Sequence, residues 1–288
     1  MRRWMPGMVR VLVAVLLMGA AVGWCATPRQ LERARGLKTR QSAAATAKQQ
    51  AYAEWWHALQ AAIVEIHKGG AGGYSTQDAA HDALSAAFVW NERLRLPVFN
   101  ARGARPSFCS GAVYAAVLSG LIRWDARHRQ RCISEEAWQA LLPTRVADGV
   151  GAWGCANANG PGFAVLVHRL GAGVSFTDWR RARPADVMKI WWTDKIGRSE
   201  RGHLVILVRD EGESVRVWSS NVGGDGEPGG FGFKTVAKKD IKRVVFTRIT
   251  NPAAFNNAPR IGEDAWLGEL LQRDVSWEEC ARRCGIAR

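Results

Sequence analysis

Cys109 stands where a cysteine can act as a nucleophile. It follows a proline-containing stretch, residues 105–108, and begins a segment in which apolar residues recur every three or four positions. That spacing predicts a helix with one buried face and places Cys109 at its first turn. Unpaired backbone N–H groups and the positive end of the helix dipole stabilise a thiolate there. A thiolate is the nucleophile of cysteine hydrolases, although a free cysteine is also often a small buried apolar residue.

A nucleophilic cysteine needs a base within hydrogen-bonding reach, and the base needs a residue that orients it. His203 is the best placed of the six histidines, because it begins a strongly apolar strand and can still reach a cleft. The neighbouring predicted strand runs into Ser219, Ser220 and Asn221. Asn221 can accept the imidazole N–H without adding a charge, so it is the predicted orienting residue, with Ser219 and Ser220 as alternatives. The competing interpretations are a solvent-exposed histidine at a strand end and an asparagine in a turn.

Three short motifs occur in the order Phe108-Cys109-Ser110-Gly111-Ala112-Val113, Arg183-Pro184-Ala185-Asp186-Val187 and Gly202-His203-Leu204-Val205-Ile206-Leu207-Val208. They resemble the Cys-Ser-Gly nucleophile motif, the Pro-Gly-Asp turn before a strand and the Gly-His strand of the NlpC-type papain-like cysteine peptidases and amidases of bacterial cell walls. The resemblance covers residues 100–250. Ala185 replaces the usual glycine, and Ser219, Ser220 or Asn221 stands where that family commonly has a histidine.

The resemblance implies an exported cysteine hydrolase that cleaves amide bonds in the peptide stems of peptidoglycan. The Cys109 thiolate would attack an amide carbonyl, the Cys109 backbone N–H would stabilise the oxyanion, and His203 would protonate the leaving amine. We expect no cofactor and no metal. Three alternatives remain open: a protein-directed cysteine peptidase or acyl transferase, a secreted structural protein, and a catalytically inactive papain-like domain. The inactive domain would bind cell-wall glycopeptide through Trp153, Trp191, Trp192 and Trp218.

The first 26 residues are typical of a secretory signal peptide. Arg2 and Arg3 precede a short apolar run over residues 11–22, and small residues follow it. The run is shorter than a comfortable membrane span. We therefore expect a periplasmic or secreted protein with no stable membrane span after signal cleavage.

The formal net charge of +14 favours an anionic partner, and an anionic cell-wall polymer suits it. Recognition helices and basic runs with interleaved aromatic residues are missing from the sequence, so nucleic acid is not an expected partner. We expect a monomer whose substrate is peptidoglycan or another peptide or amide.

The order of the predicted elements indicates an α+β fold. Helices are predicted over 51–67, from Ser75 or Thr76 to about Leu94, from Cys109, from Ser134 and over 163–170, and strands over 187–193, 203–208, 214–218, 234–237 and 243–249. Helices followed by strands favour helices packed on one antiparallel sheet, which the resemblance narrows to a papain-like, NlpC-type domain. Residues 144–162 are predicted to be a long glycine-rich loop, often a functional feature.

Four segments follow from these predictions. They are a signal peptide (1–26), a helical arm and hairpin of helices (27–97), the cysteine hydrolase domain (98–250) and a helical tail (251–288). The tail contains a capping box that begins at Ser276 and a glycine stop at Gly285.

The remaining cysteines after the leader allow two disulfides in an oxidising compartment. A bond between Cys132 and Cys155 across a loop is the more favourable pairing. Cys280 and Cys284 are predicted on one helix, where a bond between them would be strained.

Overall fold

A computed structural model describes residues 49–144, 148–224, 226 and 228–286. The chain divides into two units, Met1–Gln50 and Ala51–Arg288, and only residues 49 and 50 of the first are described. The predicted signal peptide and the arm up to residue 48 lie outside the described residues. None of the described helices is long and apolar enough to cross a membrane.

Helices dominate the first half of the described chain. They are α1 over residues 49–68, α2 over Asp78–Ala86, α3 over Cys109–Asp125, α4 over Glu135–Leu141, α5 over Gly151–Asn157 and α6 over Gly162–Leu170. A hairpin of two short strands, β1 (Phe88–Asn91) and β2 (Leu96–Phe99), separates α2 from α3. Ser134 caps α4 as predicted, because its hydroxyl accepts the Ala137 N–H.

The second half forms one six-stranded antiparallel sheet. Its strands are β3 (Gly173–Phe176), β4 (Val187–Trp191), β5 (Gly202–Asp210), β6 (Ser214–Asn221), β7 (Gly230–Ala237) and β8 (Arg243–Ile249). Their order across the sheet is β3-β8-β4-β5-β6-β7, and each pair of neighbours runs antiparallel. A 3₁₀ segment (Pro252–Arg260) and two short helices, α7 (Ala265–Glu269) and α8 (Trp277–Arg283), follow. The α+β prediction with helices and an antiparallel sheet is confirmed.

Alternating side chains give the sheet two apolar faces, as the pleat requires. Leu204, Ile206 and Trp218 belong to the core that the helices share with the sheet. Val205 and Val217 belong to a second cluster on the other face. The helix-facing side is the one that bears on the candidate site.

Helix α3 runs through the middle of the main core. All of its residues from Gly111 to Leu121 are buried, because α1 packs on one side and strands β5 and β6 on another. A Cβ atom at Gly120 would lie 3.2 Å from the Leu59 Cα atom, so the glycine permits a close approach of α1 and α3. This packing holds the N-terminus of α3 against the sheet.

The second predicted helix is wrong in extent. The second helix ends at Ala86, not at Leu94, and residues 88–99 form the β-hairpin instead. The Phe88 and Phe99 rings pack 4.7 Å apart across the hairpin, and the Asn91 side chain accepts the Leu94 N–H in the turn, so these contacts outweigh the helical periodicity.

The glycine-rich stretch predicted as a long loop contains helix α5. Ala152, Trp153 and Cys155 are buried in the main core, and their burial stabilises the helix against the low helix propensity of its glycines. The stretch still contributes to the candidate site, because the end of α5 and the loop that follows it line a cleft.

The C-terminal tail packs into the same core as the helices and the sheet. Leu267, Leu270 and Cys280 are buried there. The predicted capping box is confirmed, since the Ser276 hydroxyl accepts the Glu279 N–H, and Gly285 ends the helix with a φ of 69°.

All five cysteines in the described part of the chain are free thiols. The pairing of Cys132 with Cys155, which the sequence allowed, is therefore not formed. Cys155 faces the core from α5, whereas Cys132 lies half-buried near Asp125. Cys280 and Cys284 share a helix and remain unbonded, in line with the strain expected for that pairing.

Candidate functional site

Cys109 is the first residue of α3. The residue before it, Phe108, has an extended backbone and makes no side-chain cap, so the first N–H groups of the helix have no capping side chain. The thiol is half-buried. The predicted position of the cysteine at the start of a helix that is held against the sheet is thus observed.

His203 and Asn221 meet across adjacent strands. The Nε2 atom of His203 lies 3.1 Å from the Oδ1 atom of Asn221. The amide nitrogen of Asn221 donates to the Gly232 carbonyl oxygen at 3.1 Å, which directs Oδ1 toward the imidazole. Nε2 of His203 is therefore the protonated nitrogen of the neutral ring, and Nδ1 is left as the basic one.

The pKa of Cys109 is lowered from 9.0 to about 7. Burial has the largest single effect and raises this pKa, while a hydrogen bond to His203 and the charge of that imidazole lower it. The backbone N–H of Leu204 and the positive charge of Lys189 act in the same direction. The thiol can therefore ionise near neutral pH, as a cysteine nucleophile requires.

The two alternative orienting residues have other partners. The Ser219 hydroxyl donates to the Leu204 carbonyl oxygen at 2.7 Å, and the Ser220 hydroxyl accepts from Ser107 at 2.8 Å. Both side chains are buried. The structure thus brings Asn221 to His203, while Ser219 and Ser220 connect the sheet to the segment around Cys109.

A cleft of about 200 Å³ opens beside the Cys109 thiol. One wall is formed by the end of α5 and the loop that connects it to α6, including Asn157 and Gly160. The other wall comes from the sheet and from the segment before β5, including Lys189, Glu200 and Leu204. A substrate segment in this cleft would contact both walls.

A buried ion pair lies in the sheet wall of the cleft. Lys189 Nζ and Glu200 Oε1 are 2.5 Å apart, and the two side chains are 12% and 8% exposed. The second carboxylate oxygen of Glu200 accepts the N–H groups of Gly160, Gly197 and the Trp191 indole. Burial opposes ionisation of Glu200, but Lys189 and these N–H groups outweigh it and lower the pKa of Glu200.

A chain of hydrogen bonds supports the opposite wall. The Ser110 hydroxyl donates to Asn157 Oδ1 at 2.8 Å, and the Asn157 amide donates to Asp148 at 3.0 Å. Burial raises the pKa of Asp148 to about 6, which the bond from Asn157 partly offsets. The wall that follows α5 is thereby tied to the first turn of α3.

Several residues at the site were not predicted from the sequence. Burial of the Tyr74 phenol raises its pKa to about 12, and the charge of the Cys109 thiolate adds to this effect. One feature of the sequence could have pointed to Lys189, since it is the charged residue within the apolar strand Val187-Met188-Lys189-Ile190-Trp191. Tyr74 had none, because it simply follows a run rich in glycine.

The Pro-Ala-Asp turn has a structural role. The buried Asp186 carboxylate forms two 2.7 Å bonds with the Arg248 guanidinium and accepts the Arg183 N–H at 2.8 Å. Ala185 has a φ of 77°, a left-handed conformation that glycine adopts with little strain. The turn fixes the start of β4, the strand that carries Lys189.

The tryptophans proposed as a glycopeptide surface do not form one. Trp153, Trp191 and Trp218 are buried, and only Trp192 is partly exposed. In the part of the chain that the structure describes, no group of three or more His, Cys, Asp or Glu residues could hold a metal ion.

Comparison of the chain with models of known protein families, with curated proteins and with solved structures found no match in any of the three.

Proposed function

We propose that this protein is an exported cysteine hydrolase that cleaves amide bonds in the peptide stems of peptidoglycan. The observation that carries the proposal is the Cys109–His203–Asn221 chain, whose Cys109 lines a cleft. Cys109 acts as the nucleophile, His203 as the general base and then the general acid, and Asn221 as the residue that orients the imidazole.

The reaction follows from the order of these groups. Nδ1 of His203 takes the Cys109 proton, and the thiolate attacks the amide carbonyl to form a C–S bond. When the tetrahedral intermediate collapses, the C–N bond breaks and His203 gives its proton to the leaving amine. Water, deprotonated by His203, then attacks the thioester, which releases the carboxylic acid and the Cys109 thiol.

Two donors are available for the oxyanion. The backbone N–H of Cys109 lies at the N-terminus of α3, where the helix dipole favours negative charge. The second donor in this proposal is the Tyr74 hydroxyl, because the charge of the Cys109 thiolate reaches it and its raised pKa keeps it protonated at neutral pH. Both groups donate a hydrogen bond to the oxyanion and transfer no proton.

The substrate class and the papain-like character of the fold come from the resemblance of three ordered motifs to NlpC-type enzymes. An α+β fold with the cysteine on a helix and the histidine on a strand is compatible with that resemblance. A basic protein also suits an anionic cell wall.

The test is hydrolysis of purified peptidoglycan by the mature chain, with fragments identified by mass spectrometry. Cys109→Ala and His203→Ala are expected to abolish the release of new amine ends. Cys132→Ala and His128→Ala are the matched controls, since both residues lie outside the cleft, and they should cleave like the wild type. Tyr74→Phe is expected to lower turnover by about a hundredfold, as loss of one oxyanion donor does.

The products also separate the alternatives. A protein-directed peptidase would leave peptidoglycan intact and cleave unfolded protein, and an acyl transferase would join the acyl group to an added amine. Absence of cleavage by the wild type, together with a Cys109 thiol no more reactive than a model thiol, would favour an inactive binding domain.

A further inference from the structure

The Lys189 ammonium is held beside the nucleophile by the fold itself. Lys189 pairs with Leu204 across strands β4 and β5, and Leu204 is the residue whose N–H donates to the Cys109 thiol. The Lys189 backbone is thus paired directly with the residue that donates to the reacting sulfur. It also lines the cleft that Cys109 and Ser110 border.

Gly202 leaves the space that the ammonium occupies. A Cβ atom at this position would lie 3.1 Å from Lys189 Nζ and 2.8 Å from the Ile190 carbonyl oxygen. The Trp191 ring lies on the other side, with its centroid 5.3 Å from Nζ. Strand geometry, a glycine and an aromatic ring therefore fix the position of the charge.

The ion pair with Glu200 does not use all the hydrogen-bond donors of the Lys189 ammonium. Three of the four hydrogen bonds that Glu200 accepts come from Gly160, Gly197 and Trp191, so its charge is shared with the loop that it supports. A lysine has three N–H donors, and among the described residues Glu200 is the acceptor that Lys189 contacts. The Lys189 side chain is 12% exposed and lines the cleft, so a group bound in the cleft can reach its remaining donors.

We infer that Lys189 binds a free carboxylate of the substrate, so that the preferred acyl or leaving group bears a carboxylate close to the scissile amide. An anionic oxygen is the ligand that best satisfies a desolvated ammonium, because charge-assisted hydrogen bonds are shorter and stronger than neutral ones. A positively charged group would instead be repelled at this point of the cleft. The inference rests on the proposed function and adds a specificity-determining residue to it.

The test compares two synthetic tetrapeptides of the stem type, L-Ala-γ-D-Glu-L-Lys-D-Ala and the same peptide with the glutamate α-carboxylate converted to a carboxamide. The wild type is expected to hydrolyse the carboxylate peptide with a kcat/KM higher by about tenfold, the factor supplied by one charge-assisted hydrogen bond. Lys189→Met should abolish this preference. It should also slow cleavage of the carboxamide peptide, because the Lys189 charge favours the Cys109 thiolate. Lys242→Met, an exposed lysine outside the cleft, is the matched control and should keep the preference.

Removing Lys189 leaves the Glu200 carboxylate unpaired, so a second variant is needed. Lys189→Met combined with Glu200→Gln removes both charges and keeps an oxygen that accepts the loop N–H groups. This double variant is also expected to cleave the two peptides equally. The inference would be overturned if the wild type showed no preference. It would also be overturned if kcat/KM fell by the same factor for both peptides in these variants.

Binding to Cys109→Ala separates this inference from the proposed function. Calorimetry with the two peptides is expected to show tighter binding of the carboxylate form, and the difference should vanish when Lys189→Met is added. If the carboxylate peptide binds more tightly but the wild type cleaves neither peptide, the hydrolase is rejected and the carboxylate site is retained. Cleavage of both peptides at equal rates, with equal binding, would retain the hydrolase and reject the site.

Discussion

The chemistry of Cys109 depends on its neighbours more than on its own position. Burial favours the neutral thiol, and the pKa falls to about 7 only because His203, the Leu204 N–H and Lys189 together favour the thiolate. Asn221 acts indirectly, by holding the imidazole with Nδ1 free. Substitution of His203 alone should therefore raise the pKa of Cys109 above its ordinary value instead of lowering it.

This expectation can be measured by alkylation with iodoacetamide over a range of pH. The rate at Cys109 should rise with an inflection near pH 7 in the wild type, because only the thiolate reacts. In His203→Ala the two largest favourable interactions are lost and burial dominates, so the inflection should move above pH 9.

Peptide mapping supplies an internal control in the same sample. Burial raises the pKa of Cys155 to about 11, and Cys280 is fully buried, so both should stay unmodified below pH 9. An inflection at Cys109 that coincides with that of a model thiol in the wild type would contradict the proposed role of His203.

At the scale of elements, the turn before β4 holds a residue in a strained backbone conformation. Ala185 adopts the left-handed conformation at which glycine is preferred, and Asp186 holds the turn through Arg248. An L-residue in that conformation costs about 1–2 kcal/mol. The strain is borne by the element that positions Lys189.

Ala185→Gly should consequently change the free energy of unfolding by less than about 1 kcal/mol, because relief of strain offsets the loss of a buried methyl group. Ala116→Gly is the matched control. It removes an equally buried methyl group from the middle of α3 without relieving strain, and should destabilise the protein by about 2 kcal/mol. Urea unfolding measures both, and equal destabilisation would show that the turn at Ala185 is unstrained.

The whole molecule supports the cleft through its C-terminal tail. The Val275 N–H donates to the Ile196 carbonyl oxygen at 2.9 Å, and the Asp274 carboxylate accepts the Ser199 N–H at 2.8 Å. These bonds fix the segment that ends at Glu200. The Asp264 N–H donates to the Gly149 carbonyl oxygen at 2.7 Å, which fixes the loop behind Asn157. Both walls of the cleft are thus anchored to the tail.

A truncated chain that ends at residue 261 should lose cooperative unfolding and all activity, because Leu267, Leu270 and Cys280 leave the core with the tail. Thermal unfolding followed by circular dichroism tests this. Asp274→Ala is the milder variant, expected to cost about 1–2 kcal/mol by leaving the Ser199 N–H without its acceptor. Asp178→Ala is the control, since Asp178 pairs with the exposed Arg180. A truncated chain that melts like the wild type would show the tail to be dispensable.

Much of the architecture was predictable because it depends on local patterns. Periodicity of apolar residues located α1, α3 and most of the sheet strands, and capping residues located the starts of α4 and α8. The hairpin over residues 88–99 and helix α5 were not predictable in this way. Both depend on burial against distant parts of the chain, which overrides local propensity.

The sequence by itself determined that Cys109 begins a helix and that His203 lies near the start of a strand, because both positions follow from local spacing. It also narrowed the orienting residue to three neighbours. Only the tertiary structure decided that Asn221 contacts His203, that Tyr74 and Lys189 interact electrostatically with the thiol, and that Glu200 holds the cleft wall. These contacts join residues far apart in the chain, and their geometry is set by strand pairing and core packing, which no local pattern encodes.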